Sequence, residues 1–166
     1  MGSRELRWGG ITGGAYLAWL YLSYYLGLHT GGLGWIQVAS AIGIFLIVLG
    51  VALGLRAAWS ATPEMTFREG IAAGARISGI AALIAGLAQV GYFFLIHPGW
   101  TEYMVGLTDA YFREQGLSDE AIADYVEGAR TTFGFRSTVL QAVLAAVFFG
   151  MLATFVTAAI LRRRRD

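Results

Sequence analysis

The chain has 166 residues, of which 57% are apolar and only 14% are charged, and its mean hydropathy is +0.60. A chain of this composition has too little polar surface to fold as a soluble globular domain, so that class is excluded. The formal net charge is only +1, and we expect no nucleic-acid partner. The absence of cysteine excludes disulfides, thiolate nucleophiles and cysteine-ligated metals.

Four apolar segments are each long enough to cross about 30 Å of hydrocarbon, which takes about 20 residues in a helix. They cover residues 8–28, 35–55, 71–96 and 138–161. The second is the clearest, because no polar face interrupts it between Ala39 and Leu55. The first follows two arginines, like a secretory signal, but its apolar core is too long for one, so we expect it to be retained. The sequence therefore predicts an all-α integral membrane four-helix bundle that forms a single membrane domain over residues 1–166.

The arginines are distributed unevenly between the two sides that alternating spans would define. Eight fall on the side of the termini: Arg4, Arg7, Arg56, Arg68 and Arg162 to Arg165. Three fall on the other side: Arg113, Arg130 and Arg136. The positive-inside rule then predicts that both termini are cytoplasmic. Four tryptophans lie at or just beyond the ends of the spans, where indole rings prefer the headgroup layer: Trp8, Trp35, Trp59 and Trp100.

The links between the spans carry turn and capping signals. The link from His29 to Gly34 is so short and rich in glycine that it predicts a tight turn. Thr66 followed three residues later by Glu69 fits a capping box at the start of span three.

An acidic insert of about residues 98–136 separates spans three and four. Pro98 ends span three, and apolar residues then recur at helical spacing until Gly116. Ser118 is placed to cap a second helix, which has Asp119 and Glu120 in its first turn. We expect an amphipathic helical hairpin outside the cytoplasm.

Three motifs carry a resemblance to a known family. They are Met65-Thr66-Phe67-Arg68-Glu69-Gly70, His97-Pro98-Gly99-Trp100 and Phe112-Arg113-Glu114-Gln115-Gly116-Leu117-Ser118-Asp119-Glu120. With them the chain resembles the bacterial membrane proteins grouped as domain of unknown function 4199. The resemblance implies four spans in a bacterial inner membrane. It implies no catalytic residue, because the activity of the family is unknown. Where members show an Asn-Pro-like element before span four, this chain has Gly134-Phe135-Arg136.

Small residues recur at every fourth position of spans three and four, the small-xxx-small pattern through which membrane helices pack closely. The predicted packing residues are Gly70, Gly74, Ser78, Ala82 and Gly86 in span three, and Ala142, Ala146, Gly150 and Thr154 in span four. We expect these two ridges to pack against each other within one chain.

Polar residues within the spans are few. Arg76 is the one charged residue at depth, and we expect its side chain to extend toward lipid headgroups, with a buried functional cation as the alternative. Gln89 is expected to hydrogen-bond between helices rather than to contact a substrate. His29 and His97 fall at similar depth, but their spacing matches no metal or haem motif, so we expect interfacial hydrogen bonds and no cofactor.

No hydrolase, Walker or dinucleotide motif is present, and the sequence therefore favours a non-enzymatic inner-membrane scaffold or accessory protein. Its acidic insert would dock another envelope protein or a second copy, or would only cap the bundle. The candidate docking residues are Glu102, Asp109, Asp119, Glu120 and Asp124. One alternative is a small-solute or ion permease that acts as an oligomer, with its path at Gln89. The other is a lipid-active membrane enzyme with interfacial carboxylates beside His97. Membrane lipid is a partner in every case.

Overall fold

A computed structural model describes residues 2–62 and 64–163, with side chains as far as Arg162. Arg164 and Arg165 of the predicted basic cluster Arg162–Arg165 therefore lie outside the described residues. Within the described part the chain is all-helical. The helices are α1 (Ser3–Tyr25), α2 (Leu33–Ala61), α3 (Phe67–Gly91), α4 (Trp100–Glu114), α5 (Asp119–Thr132) and α6 (Phe135–Arg163), and α3 runs on into a π-helical segment, Tyr92–Ile96.

The helix ends follow local capping signals more closely than they follow hydropathy. α1 ends three residues before the predicted limit of 28, and Gly27 follows it with a φ of +78° that favours glycine. α2 runs six residues beyond the predicted limit of 55, because its last turns bury Leu55 and Trp59 against α3 and α6. The Thr66–Glu69 capping box is confirmed at the start of α3.

Four long helices pack together, with α3 in contact with α1, α2 and α6. They alternate in direction, so the start of α1 and the end of α6 lie at the same end of the bundle. Among the described residues, three helical segments are long and apolar enough to cross a membrane: Leu33–Ala61, Phe67–Ile96 and Phe135–Arg162. α1 is not among them, because glycine, tyrosine and tryptophan lower its mean hydropathy.

The contact between α3 and α6 is built on small side chains. Gly74 lies directly against the side chain of Thr154, and a Cβ atom added at Gly150 would be 2.8 Å from Cβ of Ser78. Ala82 and Ala146 are buried in the same interface region. Two of the predicted packing residues have other neighbours. Gly70 lies against the Trp59 ring of α2, and Ala142 borders a cavity.

Trp59 and Trp100, two of the four tryptophans expected in the headgroup layer, are only 4% and 8% exposed. Trp59 fills the space that Gly70 leaves open between α2 and α3. Trp100 packs beside Tyr92 and Met104 in an apolar cluster at the other end of the bundle. Both side chains therefore pack in the protein interior, whereas Trp35 is 55% exposed.

Helices α4 and α5 form the insert between the π-helical segment and α6. Gly116, with a φ of +74°, lies in the turn between them, and the Ser118 hydroxyl accepts a hydrogen bond from the Ala121 amide. The Phe112 and Tyr125 rings stack with their centroids 4.1 Å apart. Within the insert, the Thr101 hydroxyl donates to the Phe133 carbonyl oxygen at 3.0 Å. The insert meets the bundle where the side-chain amide of Gln141 in α6 donates to the Thr132 carbonyl oxygen at 3.0 Å.

Candidate functional site

A cavity of about 310 Å³ lies inside the bundle, at the end that carries the turn between α1 and α2. We call it the central cavity. Its wall comes from residues 16–23 of α1, 36–47 of α2 and 138–149 of α6, together with Gln89, Tyr92 and Trp100. Its volume falls at the lower limit of the range for small-molecule sites, which starts at about 300 Å³. The bundle therefore holds a space of ligand size.

Tightly packed apolar side chains fill the bundle on the side of the cavity that faces the chain termini. Val51 of α2 and Ile77 of α3 are both fully buried there, and Ile47 joins the same cluster while also lining the cavity. Ala81 and Ala85 bring the α3 backbone close to the cluster. In this structure the cavity is thus a site with a floor, not a channel through the bundle.

Tyr16 and Gln89 form a polar pair in the cavity wall. The Gln89 side-chain amide donates to the Tyr16 hydroxyl at 3.2 Å, and so joins α3 to α1. A phenol hydroxyl can accept this bond and still donate its own proton, and the amide keeps a second N–H and its carbonyl oxygen. Gln89 therefore makes the expected interhelical bond and also faces the cavity.

A chain of hydrogen bonds connects the two histidines. The distances are 3.2 Å from His97 Nδ1 to the Tyr92 hydroxyl, 2.5 Å from that hydroxyl to His29 Nδ1, and 3.0 Å from His29 Nε2 to Ser23 Oγ. Ser23 in turn donates to the Leu20 carbonyl oxygen at 2.9 Å.

The Leu20 carbonyl oxygen fixes the direction of every bond in this chain. Ser23 has one proton and gives it to that oxygen, so Ser23 Oγ must accept from His29 Nε2–H. His29 Nδ1 is then the acceptor for the Tyr92 O–H, and the Tyr92 oxygen accepts from His97 Nδ1–H. Both nitrogens of His29 are engaged, and the chain ends on the backbone of α1.

The surroundings of His29 disfavour its charged form. Burial, and secondarily the nearby charge of His97, lowers the pKa of His29 from 6.5 to about 4. Burial also lowers the pKa of His97. The rings that pack around His29 are Tyr24, Tyr92 and Trp100. At neutral pH the pair is therefore uncharged, as the directed chain of hydrogen bonds requires.

Two buried donors of the cavity wall have no hydrogen-bond partner among the described residues. They are the indole nitrogen of Trp100 and the hydroxyl of Thr138. A buried polar group without a partner costs about 1–3 kcal/mol. Both donors border the central cavity.

Arg76, the charged residue at depth, forms an ion pair with Glu5. Its guanidinium donates to Glu5 of α1 at 3.3 Å; the Arg76 side chain is 45% exposed and that of Glu5 is 13% exposed. Glu5 precedes the predicted first span, so hydropathy placed it outside the bundle. In the structure, Glu5 lies in the first turn of α1 and pairs with Arg76.

The predicted docking carboxylates divide into two groups. Arg113 pairs with Asp109 and with Asp119, each at 2.9 Å, and Arg130 pairs with Glu102. Two of these three ion pairs join α4 to α5. Glu120 and Asp124 are exposed and have no ion pair within the described part of the chain. The docking role of all five residues stays a prediction.

Sequence reasoning missed Tyr16, Tyr92 and Trp100 as cavity residues. Tyr92 and Trp100, near the end of the third span, are equally well interpreted as interfacial anchors, and Tyr16, in the middle of the first span, as a residue that faces lipid. Only the packing between helices separates these interpretations. The equal depth of His29 and His97 was the available signal, and the structure brings both imidazoles to one tyrosine hydroxyl.

No group of three histidine, cysteine or acidic side chains close enough to hold a metal ion occurs in residues 2–62 and 64–163. The chain is thus an all-helical protein with helices of membrane length around a cavity that carries polar groups. It belongs to the family described as protein of unknown function (DUF4199), whose model matches residues 7–163. Comparison with curated proteins and with solved structures found no match.

Proposed function

We propose that this protein is a four-span protein of the bacterial inner membrane that binds a small molecule in its central cavity and does not transform it. The observation that carries the proposal is the cavity itself, which has ligand size, a packed floor and polar groups in its wall. The expectation that the chain is not an enzyme is part of the proposal. It is supported by His29, both of whose ring nitrogens hydrogen-bond within the protein, so that neither is free to contact a bound molecule.

The outward faces of the long helices support membrane insertion. Phe45, Leu83, Leu87, Phe148 and Leu152 are each at least half exposed, whereas alanine, glycine and serine fill the contact between α3 and α6. Apolar surface this extensive requires lipid or a partner to cover it.

α1 supplies the fourth span in this proposal. Its 23 residues extend about 35 Å, which is enough to cross the hydrocarbon, and it packs along α2 and α3. The turn at His29 and the α4–α5 insert then lie outside the cytoplasm.

The absence of native cysteine allows a clean test of this topology. Single cysteines at Ser3, at Thr30 in the α1–α2 turn and at Gly128 in α5 would be exposed to a membrane-impermeant maleimide. We expect labelling of Thr30→Cys and Gly128→Cys in cells with an intact inner membrane, and of Ser3→Cys only after that membrane is permeabilised. Labelling of Ser3→Cys from outside would contradict cytoplasmic termini. Because three of the four proposed spans lie between Ser3 and Gly128, the two positions must be on opposite sides, and labelling on the same side would contradict α1 as a span.

The closed floor favours binding over permeation. The permease alternative needs a path past Gln89 toward the terminal end, where Val51 and Ile77 leave none in this structure. Binding alone needs only one opening of the cavity, in the half of the membrane next to the insert. Ser40 and Gln141, which line the cavity and are exposed, mark its rim.

Binding can be tested with 2-methylnaphthalene, an apolar probe, by isothermal titration calorimetry of the purified protein in detergent. Ala39 is 3% exposed and lines the cavity, so Ala39→Phe should fill part of the space and weaken binding at least tenfold. Ala41 is exposed on the same helix, and Ala41→Phe should bind like the wild type. Ala142→Leu is a second cavity-filling variant, in case Ala39→Phe does not fold. Equal binding by the cavity-filling variants and Ala41→Phe would refute the proposal.

A further inference from the structure

The wall of the central cavity is polar in places but carries no formal charge. None of the described residues that line it is aspartate, glutamate or arginine. Its histidine, His29, gives both ring nitrogens to hydrogen bonds within the protein. Since a buried ion without a charged partner is strongly disfavoured, the cavity suits a neutral molecule.

The volume of the cavity limits the size of that molecule. A dry cavity of about 150 Å³ in another protein holds one benzene ring. The central cavity, at about 310 Å³, has about twice that volume, which suits two fused rings and is too small for a whole phospholipid. Flat aromatic side chains, among them Trp19, Phe133 and Phe149, form part of the wall and match the faces of such rings.

Hydrogen-bond donors without acceptors lie in the wall at two levels. At the level of Gln89, the Tyr16 hydroxyl accepts from the amide and keeps its own proton. At the level of Tyr92, about one helical turn further along, the indole N–H of Trp100 has no partner in the part of the chain that the structure describes. A molecule that carries acceptor oxygens at two separated positions would satisfy both donors.

We propose that the ligand is a neutral two-ring compound with carbonyl oxygens, the chemistry of a naphthoquinone ring, bound through Tyr16 at one carbonyl and through Trp100 at the other. This inference rests on the proposed small-molecule binding and adds the chemical class of the ligand to it. An acyl chain of a lipid, the competing occupant, has no acceptor for either donor.

The test compares menadione, which is 2-methyl-1,4-naphthoquinone, with 2-methylnaphthalene, which has the same rings and no oxygen. Calorimetric titration of the full chain in detergent should give a Kd at least tenfold lower for menadione. Tyr16→Phe, which removes only a hydroxyl, should weaken menadione binding about fivefold or more and leave 2-methylnaphthalene unchanged. Trp100→Phe should show the same selective loss.

Tyr21→Phe is the matched control, because the Tyr21 hydroxyl also joins α1 to α3, through the Ala88 carbonyl oxygen at 3.3 Å, but does not line the cavity. It should bind both probes like the wild type. Equal affinity for the two probes, or menadione binding that is unaffected by Tyr16→Phe and Trp100→Phe, would overturn carbonyl recognition while leaving small-molecule binding intact. Failure of both probes to bind would overturn both proposals.

Discussion

The Gly74→Ala variant should unfold at a lower temperature than the wild type, because an added methyl group has no room between α3 and α6. A Cβ atom at Gly74 would overlap the side chain of Thr154. Thr154 cannot turn away easily, since it is fully buried and its hydroxyl donates to the Gly150 carbonyl oxygen at 2.8 Å. The two backbones would have to separate, and the neighbouring contact of Gly150 with Ser78 would separate with them.

The same helix supplies a control that isolates this effect. A Cβ atom at Gly79 would meet nothing within 4 Å, and Gly79 is exposed. Gly79→Ala therefore adds only the helix preference of alanine, which is worth up to about 1 kcal/mol. Overpacking a close contact costs about 1–3 kcal/mol. The free energies of unfolding of the two variants should thus differ by about 1–4 kcal/mol.

Thermal unfolding in a single detergent, followed by circular dichroism, measures this difference. For a chain of this length, 1 kcal/mol corresponds to about 2–4 °C in Tm. Gly74→Ala should melt several degrees below the wild type, and Gly79→Ala should melt at or slightly above it. Equal Tm values for the two variants would refute close packing of α3 on α6 through small residues.

Two further predictions concern pH and helix capping. Lowering the pH from 7 to 4 should destabilise the fold by about 3 kcal/mol through His29, because its folded pKa of about 4 lies below the unfolded value of 6.5 and the unfolded chain takes up the proton first. The contribution of neutral His29 to stability is complete above pH 6.5 and disappears as the pH falls toward 4. The melting temperature should therefore fall less steeply over this range in His29→Gln than in the wild type. Equal slopes would contradict a lowered pKa of His29 as the cause. Thr66→Ala should lower the free energy of unfolding by about 1 kcal/mol in a denaturant titration, because it removes the hydroxyl that accepts from the Glu69 amide at 3.3 Å. A variant as stable as the wild type would show that this cap contributes nothing to stability.

Much of the secondary structure could be predicted from local sequence signals. The capping box at Thr66, the stop at Gly116 and the cap at Ser118 each depend on residues within one turn, and the structure shows all three. The π-helical segment Tyr92–Ile96 was not predicted, because a π turn has no short sequence signature and depends on what packs around it. This segment places the Tyr92 hydroxyl within hydrogen-bond distance of His29.

The candidate site depends on contacts that are distant in the sequence. Tyr16 and Gln89 are 73 residues apart, and His29 and Tyr92 are 63 apart. A polar residue within an apolar helix has the same local pattern whether it faces lipid, another helix or a cavity. Its meaning is decided only by the neighbour that the fold supplies, as the pairing of Arg76 with Glu5 also shows.

Composition and the length of the apolar segments by themselves determined that this is an all-helical chain with helices of membrane length, because both the need for lipid and the helical period are properties of contiguous residues. The tertiary structure decided where the helices separate, which side chains border the resulting space and which way the protons of His97, Tyr92 and His29 point. Those features follow from packing between helices, since a cavity forms where side chains of different helices fail to fill the space between them, and no single segment contains that information.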